Sequence, residues 1–155
     1  MLYRNETPIQ SIIDQSDLTK DITDESIRFI EENKDNQFFL YIAHPQPHVP
    51  LFASKDFNGS TGNGLFADVI SEIDFSVGRV IEALEKNNLT ENTIVVFTSD
   101  NGPWLSYGDH AGSSGIYREG KGTAWEGGQR VPCIIKYPSE IKANTIIDAV
   151  SYTHL

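Results

Sequence analysis

The stretch that decides the fold is residues 93–103, TIVVFTSDNGP. Residues 93–98 form a short apolar run, which is typical of a strand buried on both faces of a sheet. The run passes directly into residues 99–103, whose types favour turns. In open α/β sheets, functional sites lie beyond the carboxyl ends of the strands. The stretch therefore predicts a buried strand that delivers a polar loop to the edge of the sheet where such sites lie.

Two further apolar runs predict neighbouring strands. Residues 38–43, FFLYIA, predict another strand buried on both faces, and residues 131–137 predict a third strand. Between the strands predicted at residues 93–98 and 131–137, residues 102–130 form a long, polar, glycine-rich loop. A loop of this length in a compact domain is usually functional or disordered, and its aromatic residues favour function.

One helical pattern lies between two of these strands, and another precedes all three. Apolar residues recur at steps of three and four from Leu65 to Leu84, which predicts an amphipathic helix of about six turns ended by Asn87. A shorter helix is expected to run from Thr23, as the N-cap residue, to about Asn33. The alternation of strands and helices predicts the α/β class, with helices on the faces of a sheet.

Composition limits the possible functions. The chain has 155 residues, which suits one domain, and a net charge of −10, which disfavours nucleic acid as a partner. No apolar run approaches the length of a membrane span, and the first residues lack the apolar region of a signal peptide. The lone cysteine, Cys133, excludes an internal disulfide framework and a multi-cysteine zinc site. Its position in a predicted strand suggests a small buried hydrophobe.

Asp100 and Asn101 come shortly after the strand predicted at residues 93–98. Their carboxylate and amide oxygens are hard ligands suited to Ca²⁺ or Mg²⁺, although two oxygens are far fewer than Ca²⁺ takes. The alternative is a plain turn, because Asn-Gly is a strong turn former. The local pattern alone leaves both interpretations open.

Three other polar residues are candidates for anion or substrate contact. His48 lies in a loop stiffened by prolines and could bind an anion or transfer a proton. Lys121 lies between two glycines, which let the backbone approach a ligand closely. His110 could line a substrate pocket. Each could instead be an ordinary loop residue, and packing within the loop is the default interpretation for Trp125 and Arg130.

Three stretches, in this order, resemble the type I sulfatases, the arylsulfatase A-like family of the alkaline-phosphatase-like superfamily. Residues 38–50, FFLYIAHPQPHVP, resemble the family's strand and histidine loop. Residues 98–103, TSDNGP, resemble its second pair of metal ligands, and residues 120–132, GKGTAWEGGQRVP, resemble its lysine loop. The resemblance extends over nearly the whole chain.

The resemblance implies an alkaline-phosphatase-like α/β/α sandwich with a mostly parallel central sheet, and hydrolysis of a sulfate ester. In this family a hydrated formylglycine attacks sulfur while Ca²⁺ holds the sulfate. On the matching positions, Asp100 and Asn101 would ligate calcium, and His48 and Lys121 would contact the sulfate as catalytic residues. The expected substrate is a small-molecule or glycan sulfate ester. The family is commonly exported, which implies a periplasmic or secreted full-length protein.

The formylglycine motif (Cys or Ser, any residue, Pro or Ala, any residue, Arg) has no match here. Residues 114–118, SGIYR, come closest, but Ile116 stands where Pro or Ala is required. The resemblance thus implies that the nucleophile and the remaining calcium ligands belong upstream. Residues 1–155 are expected to be the middle to C-terminal portion of a sulfatase catalytic domain, inactive alone. The alternatives are a phosphate-ester hydrolase or phosphodiesterase of the same superfamily, and a non-catalytic binding module.

Overall fold

The computed structural model describes residues 2–10 and 14–147 and contains both helices and strands. The helices are α1 (Leu18–Asn33), α2 (Leu65–Lys86) and the short α3 (Glu126–Gln129). The strands are β1 (Leu2–Arg4), β2 (Thr7–Gln10), β3 (Val95–Thr98) and β4 (Cys133–Lys136). Two 3-10 helices lie at Thr90–Asn92 and Leu105–His110. No helix in the described ranges is both long and apolar enough to cross a membrane.

Helix α2 organises the core, and its predicted length of about six turns is confirmed. Its first half packs Val69 and Ile73 against Leu51 and Ala53 of the preceding loop. Its second half belongs to another apolar cluster, formed by the buried residues Ile30, Ala83 and Leu84. The periodic pattern predicted this helix well because its buried apolar positions recur at helical spacing and pack into these two clusters.

Helix α1 begins five residues before the predicted N-cap, so the assignment of Thr23 as a cap is wrong. Thr23 is buried inside the helix, where its hydroxyl donates to the Thr19 carbonyl oxygen at 2.6 Å. The Thr23 hydroxyl oxygen also lies 2.6 Å from the Ser76 hydroxyl of α2. A threonine before two acidic residues has the local signature of a cap, but here a contact between helices uses its hydroxyl.

Residues 38–43 do not form the strand that their composition predicts. Phe38 and Leu40 pack against the second apolar cluster, while Phe39 and Tyr41 are 88% and 78% exposed. Side chains therefore alternate between core and solvent, as along a strand, but one face is open rather than buried. A strand requires a neighbour that shares its backbone hydrogen bonds, and within the described part of the chain this segment has none.

The sheets also differ from the sequence prediction. β1 pairs with β2 and β3 pairs with β4, and both pairs are antiparallel, so the described residues show no parallel central sheet. Only the mixed α/β content of that prediction is confirmed. β3 and β4 lie where strands were predicted, with Val96 opposite Ile135. The prediction that the first of these strands is buried on both faces is wrong, because Val96 and Phe97 of β3 are 55% and 38% exposed and β3 has only β4 as a neighbour within the described residues. Cys133, opposite Thr98, is exposed rather than buried, because nothing in the described structure covers this end of β4.

Candidate functional site

The turn after β3 presents the two candidate metal ligands. The Ser99 hydroxyl donates to the Asn101 carbonyl oxygen at 2.9 Å and so stabilises the turn. Asn101 is half-buried, and Asp100 is exposed. Within the described ranges, no side chain or backbone group hydrogen-bonds to the Asp100 carboxylate, so its oxygens are available to a ligand.

Close backbone contacts join this turn to the lysine loop. The Gly102 amide donates to the Gly128 carbonyl at 3.0 Å, and the Lys121 amide donates to the Pro103 carbonyl at 2.8 Å. A Cβ atom on Gly102 would lie 1.8 Å from the Gly127 carbonyl oxygen. Neither Gly102 nor Gly120 has a positive φ, so the glycines serve here to let two backbones touch. The packing fixes Lys121 beside the Asp100 turn.

The side chain of Lys121 lies against Trp104. Its Nζ atom is 5.3 Å from the centroid of the indole ring, within the range of a cation–π contact. In the portion of the chain that the structure describes, this ammonium forms no ion pair or hydrogen bond. Lys121 is therefore placed by its backbone and by an aromatic face, and its three donors remain free for an anion.

His48 reaches the same ring from another loop. Gln46 is buried and closes this loop, because its amide group accepts from the Phe52 backbone at 3.3 Å and donates to the Pro50 carbonyl at 3.5 Å. The ring of His48 lies edge-on to Trp104, with centroids 5.9 Å apart and an interplanar angle of 67°.

The tautomer of His48 follows from its hydrogen bond. Nδ1 lies 2.7 Å from the Val49 carbonyl oxygen. A carbonyl can only accept, so Nδ1 carries a proton and Nε2 is left to face solvent or a ligand. The neutral ring can accept a proton at Nε2, and the protonated ring can donate from it.

The structure thus brings together four of the five candidate residues: Asp100 and Asn101 lie in the turn that Lys121 contacts, and His48 shares Trp104 with Lys121. His110 differs, because it ends an exposed 3-10 helix, and no hydrogen bond or ring contact joins it to the other four among the described residues. Its place in a substrate pocket stays a prediction.

Trp125 and Arg130 make the packing contacts that were their default interpretation. The guanidinium of Arg118 lies 3.6 Å from the centroid of the Trp125 ring, and that of Arg130 lies 5.1 Å from the Tyr117 ring. Arg130 also forms an ion pair with Glu126 at 3.2 Å, one turn away. These contacts order the long loop and leave Lys121 as its candidate anion ligand.

His44 is a half-buried residue to which the sequence assigned no role. Its Nε2 atom lies 3.3 Å from the Ser76 hydroxyl, and its Nδ1 atom is buried with no partner in the structure as described. Burial lowers the pKa of the imidazole from its ordinary value of 6.5. His44 therefore connects the loop carrying His48 to α2 in its neutral form.

The donor set fits a calcium ion only in part. Asp100 and Asn101 offer oxygen ligands of the right chemistry, but Ca²⁺ takes about 6–8 oxygens. No group of three or more His, Cys, Asp or Glu side chains within residues 2–10 and 14–147 is arranged to hold a metal. These two residues could therefore form one side of such a site, which would need ligands from elsewhere.

Comparison with known proteins shows what the chain is similar to. A family model described as "Sulfatase" matches residues 2–155. An arylsulfatase of Hemicentrotus pulcherrimus is 39% identical over 140 residues, which cover 90% of this chain and 25% of that protein. An N-acetylgalactosamine-6-O-sulfatase of Bacteroides thetaiotaomicron is 39% identical over 137 residues, covering 83% of this chain and 27% of that protein.

The fold agrees with these sequence matches. The crystal structure of the PsFucS1 sulfatase from Pseudoalteromonas sp. superimposes with a TM-score of 0.80 and 33% identity, over 86% of this chain and 27% of that chain. The chain therefore spans about a quarter of the length of the relatives it matches.

Proposed function

Because the chain belongs to the sulfatase family, we propose that it contributes to the hydrolysis of sulfate esters. The observation that carries this proposal is the convergence of His48 and Lys121 on Trp104, beside the Asp100 turn. Two nitrogen donors held near an oxygen-rich turn are suited to an anion that is also bound to a cation. The similar proteins are named as sulfatases, which favours sulfate over the alternative phosphate-ester chemistry.

The proposed roles follow from two polar atoms that form no hydrogen bond among the described residues, Nζ of Lys121 and Nε2 of His48. The Lys121 ammonium would contact sulfate oxygens as a point charge, and Nε2 of His48 would donate to a second oxygen or to the leaving oxygen. During ester cleavage, negative charge accumulates on these oxygens. Donors that are already in position stabilise this charge without having to reorganise, and each such donor typically contributes about 10²–10³-fold in rate.

The proposed metal is Ca²⁺, for which Asp100 and Asn101 would supply part of the ligand set. Bound there, it would add positive charge beside the sulfate. The nucleophile of the proposed reaction is a formylglycine outside these 155 residues, as the sequence resemblance implies. The residues of this chain bind and orient the sulfate group and stabilise charge on its oxygens.

We further propose that residues 1–155 are the middle to C-terminal portion of a sulfatase catalytic domain. The short coverage of the relatives supports this, as do the exposed apolar side chains of Phe39 and Tyr41. In the complete protein, residues 38–43 and β3 would belong to a mostly parallel sheet of an alkaline-phosphatase-like sandwich. The proposed substrate is a small-molecule or glycan sulfate ester, and the proposed location is the periplasm or the extracellular space, which rests on the family alone.

Sulfate binding by the chain tests the anion site directly. The chain has two tryptophans, so Trp125→Phe leaves Trp104 as the sole indole reporter, in contact with both candidate residues. Inorganic sulfate, added at constant ionic strength, is expected to change the fluorescence of Trp104 in a saturable way. Lys121→Ala and His48→Ala should each weaken binding about tenfold or more, because each removes a hydrogen bond to a charged group. Lys142→Ala, at an exposed position outside the site, is the matched charge control.

The complete enzyme tests the catalytic roles. There, Lys121→Ala and His48→Ala should lower kcat for an aryl sulfate by about 10²–10³-fold, while Lys142→Ala leaves it unchanged. If the two site variants retained full activity, neither residue would belong to the mechanism. If the 155-residue chain alone hydrolysed an aryl sulfate, the proposal that its nucleophile lies elsewhere would be wrong.

A further inference from the structure

Trp104 contacts both candidate sulfate ligands, although they come from loops far apart in sequence. Lys121 Nζ lies 5.3 Å from the centroid of its ring, and the His48 ring lies edge-on at 5.9 Å. Trp104 itself directly follows the Asp100–Pro103 turn, and the Pro103 carbonyl accepts the Lys121 amide. The indole is thus the shared neighbour of the three parts of the site.

We propose that Trp104 is the positioning residue of this anion site, which holds the Lys121 ammonium and the His48 imidazole so that both can reach one sulfate group. The inference rests on the proposed function of His48 and Lys121. It adds a residue that acts through two other side chains.

Simple core packing does not account for Trp104. Trp104 is 41% exposed and belongs to neither of the two apolar clusters of the core. It is nevertheless held in place, because Tyr107 packs edge-on at 4.8 Å and 70°, and the Tyr107 amide donates to the Trp104 carbonyl at 3.1 Å. A ring that is ordered yet partly exposed can orient neighbours that must stay accessible to a ligand.

The charges at the site explain why such a ring would help. A lysine side chain has many rotamers, and Lys121 would lose this freedom when it binds an anion. The π face of Trp104 attracts the ammonium electrostatically and limits that freedom before the ligand arrives.

Isothermal titration of the complete enzyme with sodium sulfate tests this role. Trp104→Leu removes the π system and should weaken sulfate binding about tenfold. Trp104→Phe keeps an aromatic face, so its affinity for sulfate should stay within about threefold of the wild type. The remaining loss is expected because Phe is a weaker cation–π partner than Trp. Thermal unfolding of each variant, followed by far-ultraviolet circular dichroism, establishes that the fold is retained.

A double-mutant cycle separates positioning from general structure. If Trp104 acts through Lys121, the loss caused by Trp104→Leu should shrink from about tenfold to about threefold in a Lys121→Ala background. An equal loss in both backgrounds would overturn the inference, as would equal losses for the Leu and Phe variants or unchanged binding by Trp104→Leu. If wild-type protein failed to bind sulfate, or if His48→Ala and Lys121→Ala bound it normally, the proposed function itself would be wrong.

Discussion

Gly102→Ala tests the contact that joins the two loops of the site. The new Cβ atom would lie 1.8 Å from the Gly127 carbonyl oxygen, 2.9 Å from the Gly127 carbonyl carbon and 3.2 Å from the Gly128 Cα. Ordinary contact begins at 3.4 Å, so the two backbones must separate by about 1.6 Å. All three neighbouring atoms belong to the main chain, so no side-chain rotation can relieve the overlap.

The expected cost combines two terms. Overpacking typically costs about 1–3 kcal/mol. The separation also breaks the hydrogen bond from the Gly102 amide to the Gly128 carbonyl, at 3.0 Å, which contributes about 1 kcal/mol. We expect Gly102→Ala to lower the free energy of unfolding by about 2–4 kcal/mol, or the Tm by about 5–15 °C for a chain of this size. Sulfate binding should weaken as well, because Lys121 loses its anchor on Pro103.

Gly78→Ala is the matched control, because it makes the same chemical change in the middle of α2. A Cβ atom on Gly78 meets nothing within 4 Å, and the residue is helical and exposed. Replacing a helical glycine with alanine should raise the free energy of unfolding by about 0.5–1 kcal/mol. Urea denaturation followed by circular dichroism measures both variants. The reasoning would be refuted if Gly102→Ala unfolded within about 0.5 kcal/mol of the wild type, or if the two variants shifted stability in the same direction.

Three other predictions concern pH and surface. Burial lowers the pKa of His44, so this side chain binds a proton more readily in the unfolded protein than in the folded one. The free energy of unfolding should therefore fall as pH drops below about 6.5. His44→Gln should flatten this pH dependence, and an unchanged slope would contradict the prediction. Hydrogen bonds from the Thr61 hydroxyl, and to a smaller extent from the Thr61 and Gly59 amides, lower the pKa of Asp68. The Asp68 carboxylate therefore stabilises the fold at pH values above its pKa in the unfolded protein, and this stabilisation is lost as pH falls through its pKa in the folded protein. Asp68→Asn should lower the Tm more at about pH 7 than at about pH 3, and an equal loss at both pH values would refute the assignment. Val96 and Ile135 are 55% and 47% exposed and lie opposite each other, so we expect the chain to self-associate through this apolar pair. Converting both residues to Thr should lower the sedimentation coefficient in sedimentation velocity, and an unchanged coefficient would contradict the expectation.

Local sequence determined the elements whose stabilising contacts are regular along the chain. The apolar period between Leu65 and Leu84 was sufficient for α2, and the apolar runs were sufficient to place β3 and β4. The order of the three motifs also carried the family, which the comparisons confirm. These features depend on the identity and spacing of nearby residues, which the sequence contains in full.

The tertiary structure decided whatever depends on which segments meet. Residues 38–43 have the composition of a buried strand, yet Phe39 and Tyr41 are exposed, because burial and pairing require a neighbouring strand that composition cannot supply. Thr23 has the signature of a cap, yet its hydroxyl contacts Ser76 in another helix. In both cases the local pattern was compatible with two structures. For Thr23, a long-range contact selected one of them, and for residues 38–43 the lack of a neighbouring strand among the described residues did so.

The site shows the same division. The sequence identified Asp100, Asn101, His48 and Lys121 as candidates from their types and their positions in loops. It treated Trp104 only as one aromatic residue of the long loop, because nothing local links it to two side chains 56 residues before it and 17 after it. Only the folded chain, in which glycines let the Asp100 turn touch the lysine loop and His48 reaches the same ring from a separate loop, showed that Trp104 is a neighbour of both candidates.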